Sequence, residues 1–150
     1  MLEVKFYDNV PDELLKFAVI ISKTAGKWIF CKHKERDTYE VPGGRREFGE
    51  NIFDTAQREL REETGAVEFD IKPICVYSVK GKTRVNENTE DESFGMLFIA
   101  DVFSFEELHS EIEKILIFSP QKIIKILYFS LPQLTSVESK DMSNLLLMYQ

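Results

Sequence analysis

The sequence predicts a domain that mixes helix and strand, of the α+β or α/β class. Its 150 residues suit one domain with a substantial core, and 43% hydrophobic and 30% charged residues are typical of a folded globular protein. Several apolar runs bounded by turn residues indicate strands, and one central segment has the apolar period of a helix. We therefore expect a sheet with a few helices, in a single domain over residues 1–150.

The first part of the chain is predicted to be mostly extended. Leu2 to Tyr7 alternates and indicates a short strand, and the apolar runs Leu15 to Ser22 and Lys27 to Lys32 indicate two longer ones. Thr24-Ala25-Gly26, between the longer strands, is typical of a hairpin turn. A charged loop follows at 32–37.

The central helix is predicted from Ile52 to Thr64. Asn51 is suited to cap its first turn, and Gly65 stands where a left-handed residue commonly ends a helix. Ile52 is expected to project among acidic side chains. The residues expected on the stripe that faces the core are Phe53, Ala56 and Leu60.

The rest of the chain is predicted to return to strands and then to helices. Val67 to Lys80 is mostly extended, with Pro73 marking an edge or a bulge, and a polar connection at 81–93 leads to a strong strand at Phe94 to Phe103. The later expectations are a partly helical acidic stretch at 105–113, a short strand at 115–118, a helix opened by Ser119-Pro120 that stops before Pro132, a loose polar segment at 134–143 and a short final helix at 144–149.

The composition limits the possible partners. A net charge of −7 and a pI near 5.0 argue against nonspecific binding to nucleic acid or to anionic membranes, and an anionic substrate would need a bound cation and nearby arginines. The start of the chain does not resemble a signal peptide, and no apolar run has the length of a membrane span. Cys31 and Cys75 are expected to be buried thiols in a reducing cytoplasm. The sequence leaves the oligomeric state open.

Three carboxylates of the central helix are predicted to share one face. Glu59, Glu62 and Glu63 are spaced i, i+3, i+4, and their repulsion costs roughly 0.2–0.5 kcal/mol per like-charged pair. A bound cation would turn this repulsion into a net attraction. Oxygen ligands suit Mg²⁺ or Mn²⁺ better than zinc. The simpler alternative is a solvated acidic face. The position of the acids beside the buried stripe, after a glycine-rich loop, favours a metal site.

The loop before the helix is suited to phosphate. Gly43 and Gly44 let a ligand approach the main chain, and Arg45 and Arg46 are candidates to contact phosphate oxygens. Glu50 adds a fourth carboxylate just ahead of the helix.

This pattern resembles the signature of the Nudix hydrolase family, with every required polar and glycine position filled at the right spacing. One departure is Ala66, where a larger aliphatic residue is usual. The resemblance implies an α/β/α sandwich with a mixed central sheet, as a single Nudix domain over 1–150. The residues that carry it are Gly44, Glu50, Arg58-Glu59-Leu60, Glu62-Glu63 and Gly65, with Tyr39 to Gly43 similar to the family's lead-in.

The resemblance also implies a metal-dependent pyrophosphohydrolase and the roles of its residues. The general base is either Glu59 within the signature or Glu111 in a later loop, with Glu113 a weaker alternative, and Arg58 orients the glutamates. The expected metal ligands are Glu59, Glu62, Glu63, Glu50 and the carbonyl of Gly43, and the expected substrate contacts are Gly44, Arg45, Arg46 and Arg36. In this fold His33 and Arg36, in the charged loop at 32–37, would point to the site; the alternative is that both are simply solvated loop residues.

The sequence indicates the substrate less clearly than the reaction class. The region Lys80 to Arg84 carries neither the proline nor the tyrosine that marks certain subfamilies. Size and lead-in are most similar to bacterial nucleoside triphosphate hydrolases, including those that act on oxidised guanine nucleotides, with monophosphate and pyrophosphate as products. The alternatives are ADP-ribose, dinucleoside polyphosphates, RNA 5′-triphosphate ends, or a non-catalytic nucleotide-sensing module. Sensing modules tend to lose signature carboxylates, and none is lost here.

Overall fold

The computed structural model describes residues 3–81 and 91–118. In these residues eight strands form one mixed sheet and one α-helix packs against it, which confirms the predicted α/β class with a mixed sheet. The helix predicted from Ser119, the segments 134–143 and 144–149, and most of the connection at 81–93 lie outside the described residues. In chain order the elements are β1 (Glu3–Tyr7), a 3-10 turn (Asp12–Leu14), β2 (Leu15–Thr24), β3 (Lys27–His33), β4 (Tyr39–Glu40), β5 (Gly43–Arg45), α1 (Ile52–Thr64), β6 (Ala66–Lys80), β7 (Glu92–Phe105) and β8 (Ile112–Phe118).

Strand β2 is the centre of the sheet. The main strand order is β1-β6-β7-β2-β3-β4, and β5 and β8 pair additionally with β2 and β3. Strand β2 runs parallel to β7, whereas its first half pairs antiparallel with β5 and its end pairs antiparallel with β3. This branching brings the glycines of β5 against the acidic side chains Glu59 and Glu63 of α1.

The hairpin and the bulge follow their sequence signals. Ala25 and Gly26 both have positive φ, 47° and 72°, as the tight turn between β2 and β3 requires. The pairing of β6 with β7 shifts register between Pro73 and Cys75, so the predicted bulge is confirmed. A proline cannot donate to the ladder, and the shift accommodates it.

Helix α1 has the predicted bounds, and two of the three residues predicted to face the core, Ala56 and Leu60, are buried. Asn51 caps it with a complete capping box that includes Asp54, and Gly65 is left-handed at its end. Phe53, predicted to face the core, is 38% exposed, and Ile52, predicted to lie among the acids, is buried. The buried side chains follow an i, i+4 row along the sheet that begins at Ile52 instead of Phe53. They are Ile52, Ala56, Leu60 and Thr64, with Thr55 beside them.

Two further expectations are wrong. The glycine-rich loop is partly a strand, because Gly43 to Arg45 pairs with Val19 to Phe17. The stretch 105–113 contains no helix: β7 continues through Phe105, residues 106–111 are irregular, and β8 begins at Ile112 rather than at 115. Long-range backbone hydrogen bonds hold the stretch 106–111 in its irregular path: Glu106 N donates to Gly65 O at 2.8 Å, and Lys34 N donates to Glu111 O at 2.9 Å.

Candidate active site

The guanidinium of Arg58 lies among the carboxylates predicted to bind metal. Its Nε donates to Glu50 Oε1 at 2.7 Å, and its Nη1 donates to Glu59 Oε1 at 2.7 Å and to Glu62 Oε2 at 3.1 Å. Its Nη2 also donates to the carbonyl of Arg45 at 3.0 Å, which ties the helix to β5. The carboxylate repulsion expected from the sequence is therefore offset by a resident cation, consistent with the predicted orienting role of Arg58.

These contacts set the charge of Glu50. The hydrogen bond from Arg58 is the main cause that lowers the pKa of Glu50 to about 2, and the same bond raises the pKa of Arg58. Glu50 Oε2 also accepts from the hydroxyl of Thr55 at 2.8 Å and from Glu47 N at 3.0 Å. Glu50 is thus an ionised carboxylate with its oxygens already directed by the protein.

Position 44 requires glycine, because the carboxylate of Glu59 occupies the space that a side chain at this position would fill. A Cβ built on Gly44 would overlap Oε1 of Glu59 and lie 2.6 Å from its Oε2. The side chain of Glu59 is 12% exposed, and burial raises its pKa. The pairing of Gly44 with Ala18 fixes β5 at the distance that leaves this carboxylate its place.

Glu63 is the most buried acid of the cluster. Its Oε2 accepts from the backbone N–H of Gly43 at 2.7 Å and lies 3.8 Å from the Sγ of Cys31. Burial raises the pKa of Glu63 to about 7. Burial, together with the nearby Glu63, also raises the pKa of the Cys31 thiol. Cys31 is buried as predicted, whereas Cys75, also predicted to be buried, is only partly so.

One cleft brings the helix and the later loop together. It has a volume of about 450 Å³, and the loop between β7 and β8 forms its second wall. Glu111 therefore faces the same space as the signature glutamates, as its predicted role requires. A larger, more open depression of about 710 Å³ lies at the other edge of α1, and it contains none of the predicted site residues. The lining residues of the cleft are Glu59, Arg61, Glu62, Glu63, Glu106, Glu107, His109, Ser110 and Glu111.

The three other predicted arginines have different surroundings. Arg45 is exposed, with its guanidinium 5.6 Å from the centre of the Phe17 ring. Arg46 bonds to the carbonyls of Asp12 and Glu50 and to the carboxylate of Asp12, so it braces the loop. Arg36 pairs with Glu40 at 2.7 Å near the end of β3. Their contacts with substrate stay predictions.

Sequence reasoning missed how β3 and the irregular segment 106–111 complete the site. Glu106, Glu107 and His109 form much of the second wall of the cleft. Cys31, on β3, lies beside the buried carboxylate of Glu63. The pairing of β3 with β8 and the bond from Glu106 N to Gly65 O bring these residues to the helix, and no local pattern predicts either contact.

The carboxylates of Glu50, Glu59, Glu62 and Glu63 suit a hard cation, but their hydrogen bonds hold them apart from a shared coordination point. Within residues 3–81 and 91–118, no three His, Cys, Asp or Glu side chains converge on one point. Arg58 holds three of the carboxylates, and Gly43 holds Glu63 through its N–H. All four are oxygen donors on one side of α1, the chemistry that Mg²⁺ or Mn²⁺ requires. The Gly43 carbonyl as a ligand stays a prediction.

Fold and cleft define an α/β protein with an acidic site on its central helix. Residues 13–144 match the model of the NUDIX domain family. The chain therefore belongs to the NUDIX family, and the predicted class, a Nudix hydrolase, is confirmed.

Similar proteins come from several bacteria. YtkD of Bacillus subtilis, provisionally named an 8-oxo-dGTP diphosphatase, is 36% identical over 84 residues, which are 56% of this chain and 52% of YtkD. The alignment thus spans about half the length of this relative. The structure of a Bacillus subtilis pyrophosphohydrolase, BsRppH, is 25% identical with a TM-score of 0.64 and covers 92% of both chains. A NUDIX hydrolase from Nitrosomonas europaea, 21% identical, shares the fold with a TM-score of 0.63 over 80% of this chain and 82% of its own.

The described residues include no helix with the length and apolar character needed to cross a bilayer.

Proposed function

We propose that this protein is a metal-dependent pyrophosphohydrolase that cleaves a nucleoside diphosphate linked to another group. The observation that carries the proposal is the cluster of Glu50, Glu59 and Glu62 around Arg58, with Glu63 held beside it by the N–H of Gly43 and Glu111 across the cleft. The names of YtkD and BsRppH, a diphosphatase and a pyrophosphohydrolase, support the same reaction class.

The proposed site holds Mg²⁺ or Mn²⁺ through Glu59, Glu62 and Glu63, with Glu50 and the Gly43 carbonyl as further donors. A bound divalent ion would neutralise diphosphate oxygens and lower the pKa of a coordinated water. Glu59 and Glu62 would hold the ion in place of their contacts with Arg58, and Arg58 would retain its contacts to Glu50 and to the carbonyl of Arg45. The helix would thereby stay attached to β5.

The proposed reaction is attack of water on a phosphorus of the diphosphate. The water oxygen forms the new bond to phosphorus, the bond from that phosphorus to the bridging oxygen breaks, and the leaving phosphate keeps the electron pair. The proton of the water passes to a carboxylate. We assign that role to Glu111, because its side chain is 74% exposed at the cleft whereas Glu59 is bound by Arg58. Glu59 is the second candidate.

The proposed substrate is a nucleoside triphosphate, including triphosphates of oxidised purines, cut to the monophosphate and pyrophosphate. The likeness to YtkD supports an oxidised purine nucleotide. The net charge of −7 and the acidic cleft make the cation necessary for any polyphosphate to enter. We expect the protein to meet this substrate as a free nucleotide in the cytoplasm.

A panel of nucleotides with product identification tests the substrate and the bond cleaved. The panel contains canonical and 8-oxo nucleoside triphosphates, ADP-ribose, a dinucleoside polyphosphate and an RNA with a 5′-triphosphate. We expect monophosphate and pyrophosphate from the triphosphates, with one ¹⁸O from labelled water in one of the two products. Nucleoside diphosphate with inorganic phosphate as the first products would refute this cleavage.

Removal of the metal tests the enzyme against the sensor. We expect no turnover in excess EDTA, recovery with Mg²⁺ or Mn²⁺, and an optimum at alkaline pH, because the attacking water must lose a proton. Full activity after exhaustive chelation would contradict the proposed site. Nucleotide binding without turnover in either metal would favour a sensing module.

A further inference from the structure

The end of β3 holds the loop that carries Glu111. Lys34 N donates to the carbonyl of Glu111 at 2.9 Å, and Lys34 Nζ donates to the carbonyl of Ser110 at 2.9 Å. Lys32 pairs with Glu113 at 2.6 Å on the other side. The backbone around Glu111 is therefore fixed by its neighbours, and only its side chain still has to be directed.

That side chain is directed by His33. The Nε2 of His33 lies 3.2 Å from Oε1 of Glu111. Within the part of the chain that the structure describes, no other hydrogen bond or ion pair is made by this carboxylate. The His33 side chain is 12% exposed and that of Glu111 74%, so a largely buried ring holds an exposed acid that lines the cleft.

The surroundings of the ring select one tautomer. The backbone N–H of Glu35 points to Nδ1 of His33 at 3.5 Å, which makes Nδ1 the acceptor. In the neutral ring the hydrogen is then on Nε2, and Nε2 donates to Glu111. This direction leaves the second carboxylate oxygen of Glu111 available to take a proton.

We propose that His33 is a positioning residue that holds the Glu111 carboxylate in the cleft for proton transfer from the attacking water. This inference rests on the proposed function and on Glu111 as the base. Without the imidazole the carboxylate samples several rotamers while the loop keeps its backbone bonds. Misplacing a base by about 1 Å can cost up to roughly 100-fold in rate, and partial disorder costs less.

The principal test compares steady-state kinetics of His33→Phe, which keeps a ring without a donor, with the parent protein. We expect kcat to fall about tenfold with KM within about twofold and little change in Tm. His33→Gln, which retains an N–H donor, should recover most of the rate. Lys34→Met is the matched control: it keeps the bond from Lys34 N to the carbonyl of Glu111 and removes only the side-chain bond to Ser110, so its loss of kcat should be much smaller than that of His33→Phe.

A double-mutant cycle with Glu111→Gln separates positioning from a general structural effect. If His33 acts through Glu111, adding His33→Phe to Glu111→Gln should lower kcat no further. An equal tenfold loss in both backgrounds would overturn the proposal, as would a parent-like kcat for His33→Phe or a loss for Lys34→Met as large as that for His33→Phe.

Nitrogen NMR of the parent protein gives a test that needs no His33 variant to fold. The chain has two histidines, so His109→Asn assigns the signals. We expect neutral His33 to carry its hydrogen on Nε2; a hydrogen on Nδ1 would overturn the proposal. Failure of the proposed function is a different result, namely that the parent protein hydrolyses no diphosphate in Mg²⁺ or Mn²⁺.

Discussion

Replacing Gly44 with alanine should disable the site while leaving the fold intact. The new Cβ would overlap the carboxylate of Glu59, the far end of a side chain that can rotate, and would meet no backbone atom more closely. Ordinary contact begins near 3.4 Å, so the carboxylate must retreat by roughly 1 Å from its place beside β5. It would thereby leave both Arg58 and the position from which it is proposed to bind metal.

The size of the effect follows from that displacement. A shift of about 1 Å in a catalytic group costs on the order of 100-fold in rate, so kcat/KM for a nucleoside triphosphate should fall by about that factor. Stability should change by less than about 1 kcal/mol, a shift in Tm of no more than roughly 2–4 °C.

Gly43→Ala is the matched control, because its Cβ would meet the carbonyl oxygen of Ala18 at 2.5 Å. That atom belongs to the sheet and cannot rotate away, so this variant should lose about 2 kcal/mol, with Tm lower by roughly 4–8 °C. Steady-state hydrolysis and thermal unfolding of the two variants measure both effects. Gly44→Ala with parent-like kcat/KM, or with a loss of Tm equal to that of Gly43→Ala, would refute the reasoning.

Three further predictions concern the helix. Glu62→Gln and Glu63→Gln should each lower turnover by more than about 100-fold with an unchanged circular dichroism spectrum; parent-like rates in both would show that the site is elsewhere. In EDTA, ionised Glu63 destabilises the folded state, because its pKa is raised to about 7 from an ordinary 4.5. This destabilisation by ionised Glu63 is absent below pH 4.5, grows up to pH 7 and persists above it. The free energy of unfolding of Glu63→Gln should therefore exceed that of the parent by on the order of 3 kcal/mol at pH 8 and equal it at pH 4. Urea unfolding at the two pH values measures this difference. Asn51→Ala should lower Tm by roughly 2–4 °C without changing kcat, whereas Asn51→Asp keeps the capping oxygen and the parent Tm.

The central helix and its acids could be predicted because their signals are local. Asn51 and Gly65 mark the two ends of α1 by capping chemistry, and the structure ends the helix at these residues. The spacing of Glu59, Glu62 and Glu63 places them on one side of any helix. The hairpin at Gly26 and the bulge at Pro73 likewise depend on the backbone properties of one or two residues.

The partners of those acids could not be predicted, because they come from other strands. The burial of Ile52 in place of Phe53 depends on how the first turn of α1 lies on the sheet. The contact of Glu63 with Cys31 requires β3 to pass beneath the helix.

The sequence by itself predicted which groups come together, since helical spacing places Arg58 near Glu59, Glu62 and Glu63, and Glu50 stands just ahead of the helix; their chemical roles stay predictions. Only the tertiary structure decided what each group touches. The pairing of β5 with β2 places Gly44 against Glu59, and the pairing of β8 with β3 places Glu111 against His33. Such contacts join residues far apart in the chain, and they form only when the whole sheet has selected its register, which no local pattern encodes.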